Sequence, residues 1–281
     1  MAATKERSIT EIPEELLKSA TEHLWQFTVG FVGVESQNKV QKATLLGSGV
    51  LVKVNGTHAF LTAAHVIDVL PRRGRLGLVL STTPEQTTID IAGVNYLKIA
   101  RGDKPEAGPD IAAVILSSSV ASAIESKKTF YNLATRKEQL LTAPPEDREG
   151  IWVASGFVEE LTQIDPNPAP YETLKGFCHF GAVGGVDSYR VEGEHDYFAF
   201  PVSHPQNSSL PHNFGGVSGS GLWHVLLRED KAGVLAIHQF ILQGLTYYQD
   251  PYNVDGESAL RCHGSRSIYS VAYEAICHRE L

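Results

Sequence analysis

The chain of 281 residues holds three cysteines, Cys178, Cys262 and Cys277, and one methionine. An odd, sparse set of cysteines excludes the dense disulfide framework of small secreted scaffolds. The three are read as small buried apolar residues. The 11 histidines are scattered, no Cys/His spacing matches a zinc site, and no glycine-rich phosphate loop occurs, so neither a metal nor a cofactor is expected. No stretch approaches the ~18 apolar residues that span a bilayer. Excess positive charge is missing as well: 24 Lys and Arg against 32 Asp and Glu leave a net charge of −8, which offers no footprint for nucleic acid or an anionic membrane. Residues 1–8 run into acidic positions without an apolar signal-peptide core, so no export signal is expected. No internal repeat or low-complexity tract is visible.

What is present suits a globular protein. Hydrophobic residues make up 42% and charged residues 20%, and the length allows one large domain or two small ones. Thr10, the early acids Glu11, Glu14 and Glu15, and Pro13 signal a helix start. Ile12, Leu16, Leu17, Ala20 and Leu24 continue at helical spacing, which predicts a helix over 11–24 docked on the first half of the fold. From Trp25 the period changes to two, with Phe27, Val29 and Phe31 alternating. Asn55-Gly56 predicts a tight hairpin between strands over 45–54 and 58–63. Further short strands are expected over 76–80, 89–92, 96–100 and 111–116, then 151–157, 171–180, 197–202, 221–227 and 233–242. Many short strands with regular turn signals indicate an all-β barrel architecture with minor helices rather than alternating βα units. Residues 117–150 read as a linker with one or two helices, Ala143-Pro144-Pro145-Glu146-Asp147 as its end, Asp165–Pro170 as an exposed loop, and 267–278 as a closing C-terminal helix.

Three segments carry the chemistry. Leu61-Thr62-Ala63-Ala64-His65 places a histidine at the end of an apolar strand. Pro109-Asp110-Ile111-Ala112-Ala113-Val114 places a carboxylate at the start of one. Gly216-Val217-Ser218-Gly219-Ser220-Gly221 surrounds a serine with glycines. A serine hydroxyl needs an imidazole to take its proton, and the imidazole needs a carboxylate to hold its tautomer. Asp103 is the rival acid but lacks the apolar run that follows Asp110. Ser220 is the rival nucleophile but lacks a glycine two positions before it. The amides of Gly216 and Ser218 are the candidate donors to a developing oxyanion.

These residues resemble the trypsin-like (chymotrypsin-fold) serine peptidases, whose members carry a Thr-Ala-Ala-His strand end, an Asp-Ile-Ala-Leu-like strand start and a Gly-x-Ser-Gly loop. The order His, Asp, Ser is that family's and excludes the subtilisin and α/β-hydrolase orders. The resemblance implies a double six-stranded β-barrel: an N-terminal helical extension over 1–24, a first barrel over 25–116 with His65 and Asp110, a linker over 117–150, and a second barrel over 151–281 with Ser218 and a C-terminal helix. It implies a serine endopeptidase acting on a protein or peptide substrate through an acyl-enzyme. Val66 stands where many extracellular members have cysteine, so an intracellular, bacterial-type member in the cytoplasm is expected.

Two departures from the family matter. Val217 replaces the aspartate that, in zymogen-activated relatives, pairs with a new N-terminal amine, and Gly221 replaces the usual proline. A loop that is preformed or ordered by a regulatory protein partner is therefore expected. His212 occupies the position, six before the nucleophile, where basic-specific relatives have aspartate, so preference for Lys or Arg is not expected. Gly233-Val234-Leu235-Ala236-Ile237-His238 resembles a strand of bacterial glutamyl endopeptidases, which would set His238 in the substrate pocket and favour small or acidic side chains. The alternative to an enzyme is a pseudo-protease whose cleft only binds a protein.

Overall fold

A computed structural model describes residues 11–37, 40–81, 87–142, 150–164, 175–203, 211–231 and 233–278. The chain is mostly β, folded into two antiparallel sheets, one of them curled into a half-barrel. The first half contains α1 (Glu14–Leu24), β1 (Thr28–Gln37), β2 (Val40–Val54), β3 (Thr57–Thr62), α2 (Ala64–Val69), β4 (Arg75–Val79), β5 (Thr87–Asp90), β6 (Val94–Arg101) and β7 (Asp110–Leu116). The connection holds α3 (Ser118–Glu125), β8 (Tyr131–Asn132) and α4 (Lys137–Thr142). The second half contains β9 (Gly150–Phe157), β10 (Gln163–Ile164), β11 (Lys175–Gly176), β12 (His179–Gly184), β13 (Ser188–Glu192), β14 (His195–Ser203), β15 (Gly221–Glu229), β16 (Leu235–Gln249) and β17 (Glu257–His263). A π-helical turn, Ser267–Ala272, and α5 (Tyr273–Cys277) end the described chain.

The first sheet runs β5-β4-β1-β2-β3-β7-β6. Its one parallel partner, β8, takes over beside β2 at Val52 and Lys53, beyond the last β1 pair at Val50. The second sheet runs β12-β9-β15-β16-β17-β14-β13, and β10 pairs with β11 separately. Sheets of eight and seven strands thus stand where six-stranded units were expected.

Strand periodicity explains how the halves share a core, since alternate side chains leave opposite faces. On β2, β3 and β7, Val50, Val52, Ala59, Leu61, Ile111, Ala113 and Ile115 join a cluster that also contains Val153, Trp223, Val225 and Leu245 of the second sheet. Their alternates Leu51, Phe60, Ala112, Val114 and Leu116 pack with Phe31 and Leu76 inside the first sheet. Both faces of β7 are therefore covered, and all seven of its residues are buried. This explains an apolar run with no polar alternation. Trp152, Ala154, Phe200 and Leu222 form the second sheet's own interior.

Several expectations hold. The hairpin turn lies at Asn55 (φ 46°) and Gly56 (φ 87°), and Asp110 opens β7. Others are corrected. Helix α1 begins at Glu14 and packs against β9, β12 and β16, so it docks on the second sheet rather than the first; Thr21 lies over Gly181, and His23 stacks on Phe240. The C-terminal helix starts as a π turn, held by the buried Asp196 carboxylate, which accepts from the Arg266 and Ser267 amides at 3.0 and 2.8 Å. Strands β13 and β17 were not anticipated, and β16 continues well beyond 242. Thr10, 143–147 and 165–170 lie outside the described residues, as do Tyr171–Leu174 of the strand expected over 171–180.

Burial gives this fold a pH dependence. His224 is fully buried and stacked on Trp152, with centroids 4.7 Å apart, and desolvation pushes its pKa from 6.5 down to about 4. On unfolding, the freed imidazole binds a proton that the folded one refuses. Stability from this group is therefore complete above about pH 6.5 and lost as pH falls toward about 4. Urea unfolding of wild type and His224→Phe at pH 7.5 and pH 5 should show the wild type losing about 2 kcal/mol more on acidification. Equal losses would contradict this account.

Candidate active site

His65 sits in the first turn of α2, directly after β3. Ala63, Ala64, Val66 and Ile67 are buried around it, so the small and apolar neighbours anchor the turn while the imidazole stays half-exposed. Strand β7 lies beside β3 in antiparallel register, Thr62 opposite Ala112, which carries Asp110 to the same end. His65 Nδ1 and Asp110 Oδ2 are 2.6 Å apart, and the His65 amide donates to Asp110 Oδ1 at 2.9 Å. Arg101 Nη1 donates to the same Oδ1 at 3.0 Å. Burial alone would raise the Asp110 carboxyl pKa. The His65 side-chain and backbone bonds and the Arg101 charge outweigh it, and the group is held below its ordinary value. An ionised carboxylate only accepts, so the proton of the neutral imidazole lies on Nδ1 and Nε2 keeps its lone pair. From behind, the Asp110 amide donates to Nε2 of the fully buried His263 at 2.9 Å, whose pKa desolvation pushes to about 3.

The Ser218 loop is tied to the first sheet by Ser48 of β2. The Ser48 amide donates to the Ser218 carbonyl at 2.8 Å, and its hydroxyl donates to the Gly216 carbonyl at 2.7 Å while accepting from the Phe157 amide at 2.9 Å. Its own carbonyl accepts from Thr62 Oγ1 at 2.7 Å, three residues before His65. One buried residue thus links the serine loop, the second sheet and the strand that delivers the histidine. The approach is tight. A Cβ at Gly219 (φ +88°) would lie 2.1 Å from the Ser48 carbonyl oxygen, and one at Gly216 (φ +93°) would lie 2.3 Å from Leu45 Cδ2. Both glycines are therefore required. The Gly219 amide donates to Thr246 O at 2.7 Å. Val217, in place of an acid, is buried in the second sheet's interior with Phe214 and Leu222. Among the described residues, the amides of Gly216 and Ser218 meet no acceptor, and no hydrogen bond joins Ser218 Oγ to His65.

The remaining expected site residues lie differently. His212 is exposed at the start of the loop, and its carbonyl accepts from Gln249 Nε2 at 3.4 Å. Gln249 Oε1 accepts from the Phe214 amide at 3.0 Å, so the last residue of β16 braces the loop. Glu160 Oε2 accepts from the Asn213 amide at 2.8 Å, which puts a carboxylate beside His212 that sequence spacing did not reveal. His238 is a correction. It is exposed on β16 at an irregularity between the pairs Gln239–Leu226 and Ile237–Leu227. The part of β16 that meets the serine loop is Leu245-Thr246: Leu245 pairs with Gly221, and the Thr246 carbonyl accepts from the Gly219 amide. Seven residues of strand at about 3.3 Å each separate His238 from Leu245, so His238 does not line a pocket at the serine. Arg101, His263 and Ser48 were missed.

The 102–109 connection into Asp110 is gripped from the second sheet. Arg190 Nη2 donates to the Ala107 carbonyl at 2.8 Å and Arg261 Nη1 to that of Glu106 at 3.0 Å.

No family model matches the sequence, and no curated protein matches it. Among solved structures, the chain is similar to one from work on coupled folding and binding of the intrinsically disordered VPg protein of Sesbania mosaic virus. Identity is 14%, 86% of this chain and 89% of that chain are covered, and the TM-score is 0.41. A likeness at that level carries no functional argument.

Replacing Ser48 with Ala leaves the Gly216 carbonyl and the Phe157 amide without their hydroxyl partner. The expected cost is about 1–3 kcal/mol, read as a lower urea midpoint with an unchanged m-value. An unchanged midpoint would show that the hydroxyl is not the clamp described.

Proposed function

We propose that this chain is a trypsin-like serine endopeptidase, with the two sheets read as its two β-barrels and the site at the seam between them. The observation that carries the reading is the His65–Asp110 pair, with both carboxylate oxygens engaged by His65 and Nε2 left as the free base. The Ser48 clamp supports it by fixing the serine loop to the strand that presents the histidine. In this reading Ser218 Oγ attacks the peptide carbonyl as His65 Nε2 takes its proton. Asp110 holds the ring and stabilises the imidazolium, and the Gly216 and Ser218 amides receive the oxyanion. His65 then returns the proton to the leaving amine, and water hydrolyses the acyl ester by the same route. The substrate is a protein or peptide, and a cytoplasmic setting with narrow or partner-regulated activity completes the reading. Among the described residues no helix is long and apolar enough to cross a membrane.

One observation favours the rival reading of a protein-binding pseudo-protease: Ser218 Oγ and His65 share no hydrogen bond. Catalytic hydrogen bonds are often long before substrate binds, so the two readings are separated by reactivity. A fluorophosphonate should label Ser218 covalently, and Ser218→Ala should abolish labelling and lower peptide or ester cleavage by about 10³-fold or more. Absence of labelling in the folded wild type would favour the binding module.

A further inference from the structure

We infer that Arg101 is a positioning residue for the His65–Asp110 pair, and that its fixed charge, and not only its N–H donor, enters the pH dependence of catalysis. The inference rests on the proposed reading of that pair. Arg101 is the last residue of β6 and lies directly opposite Asp110 in the β6–β7 register. Its guanidinium is therefore delivered by a strand end. The side chain of Asp110 is 4% exposed, while those of Arg101 and His65 are each 35% exposed. The carboxylate is thus covered by two half-exposed partners, with Arg101 and the His65 amide sharing Oδ1 and the imidazole on Oδ2. A neutral donor at this position would orient Asp110 equally well. A guanidinium also adds a cation that does not titrate. It keeps the carboxylate ionised and opposes the second cation that appears when His65 takes a proton, because like charges a few ångströms apart repel appreciably near a protein surface.

The other charges around the pair form a constant background. On α2, Asp68 is bonded to Lys98 of β6 at 2.6 Å and lies within the influence of Arg72 and Arg101. Behind Asp110, His263 of β17 is buried and His195 of β14 lies beyond it, with ring centroids 5.9 Å apart. Of these, only Asp68 feels the Arg101 charge, and its main partner Lys98 stays in place when Arg101 is replaced; the β6–β7 backbone ladder is independent of the side chain.

The test compares wild type, Arg101→Lys and Arg101→Gln. Glutamine keeps an N–H donor and removes the charge, whereas lysine keeps the charge. With a chromogenic peptide ester at low ionic strength, the acid limb of kcat/KM should move to higher pH in Arg101→Gln by about 0.5–1 unit. The displacement should shrink at high salt and return toward wild type in Arg101→Lys. A second readout needs no turnover: the low-field proton signal of His65 Nδ1–H, followed against pH by NMR, should show the same displacement. Coincident pH dependence of that signal in all three proteins would overturn the role of Arg101. If Ser218 proves inert, the endopeptidase reading fails, while the NMR comparison still decides on Arg101.

Discussion

The arrangement depends on the hydrogen bonds of Ser48. A glycine-rich loop has little conformational preference of its own, because each glycine gives up more backbone freedom on ordering than any other residue. That entropy is offset at Ser48, whose amide, hydroxyl and carbonyl reach Ser218, Gly216 and Thr62 respectively. The Phe157 amide adds the second sheet to the same hydroxyl. These bonds are strong because the residue is fully buried, where no water competes and an unmade bond costs more than a made one gains. The loop geometry is therefore a property of the inter-sheet core and inherits that core's stability.

Asp110 poses the opposite difficulty. Burying a carboxylate costs several kcal/mol unless its oxygens find donors, and this one is at the first position of a fully buried strand. His65 supplies two donors and Arg101 a third. His263, fully buried and neutral, accepts from the amide of the same residue. The charge is thus stabilised from the first sheet, while its backbone is fixed from the second. Arg190 and Arg261 act in the same direction on the preceding connection, by bonding its carbonyls. Placing the carboxylate requires both sheets to be assembled. Loss of either should remove the His65–Asp110 geometry without any change in the residues that form it.

The strands that were legible in the sequence are those whose signals are local. Asn55-Gly56 determines a turn by its backbone preferences, and the Thr-Ala-Ala-His and Asp-Ile-Ala-Ala segments announce a strand end and a strand start by themselves. Their pairing across β3 and β7 follows from apolar runs that have to be buried on both faces. What escaped is non-local. Ser48 lies in the unremarkable Leu46-Gly47-Ser48-Gly49, and its partners are 14 to 170 positions away. His263 and Arg101 matter because of register, which a composition of strand formers does not specify. His238 failed for the same reason. An Ile-His pair looks the same at either end of a 15-residue strand, and only the pairing of Leu245 with Gly221 shows which part meets the serine loop. Helix α1 was legible as a helix but not in its docking, since an amphipathic face does not state which apolar surface it covers.

Val217 completes the argument about how the loop is held. In the family that the motifs resemble, zymogen-type members form this region only when a buried aspartate acquires an N-terminal amine, so proteolysis acts as a switch. Here the corresponding side chain is apolar and 3% exposed, packed with Phe214 and Leu222 in the second sheet's interior. Transfer of a valine side chain into such a core contributes about 1.5 kcal/mol or more and needs no counter-ion. The neighbouring amide and carbonyl bonds, Val217 to Phe214 and Ser220 to Val217, close the turn on either side. A loop anchored in this way forms when the second sheet packs and requires no new terminus. On the proposed reading, control over activity cannot then lie in formation of the loop by cleavage. It has to act on access to the seam, or on the His65–Asp110 pair that faces it.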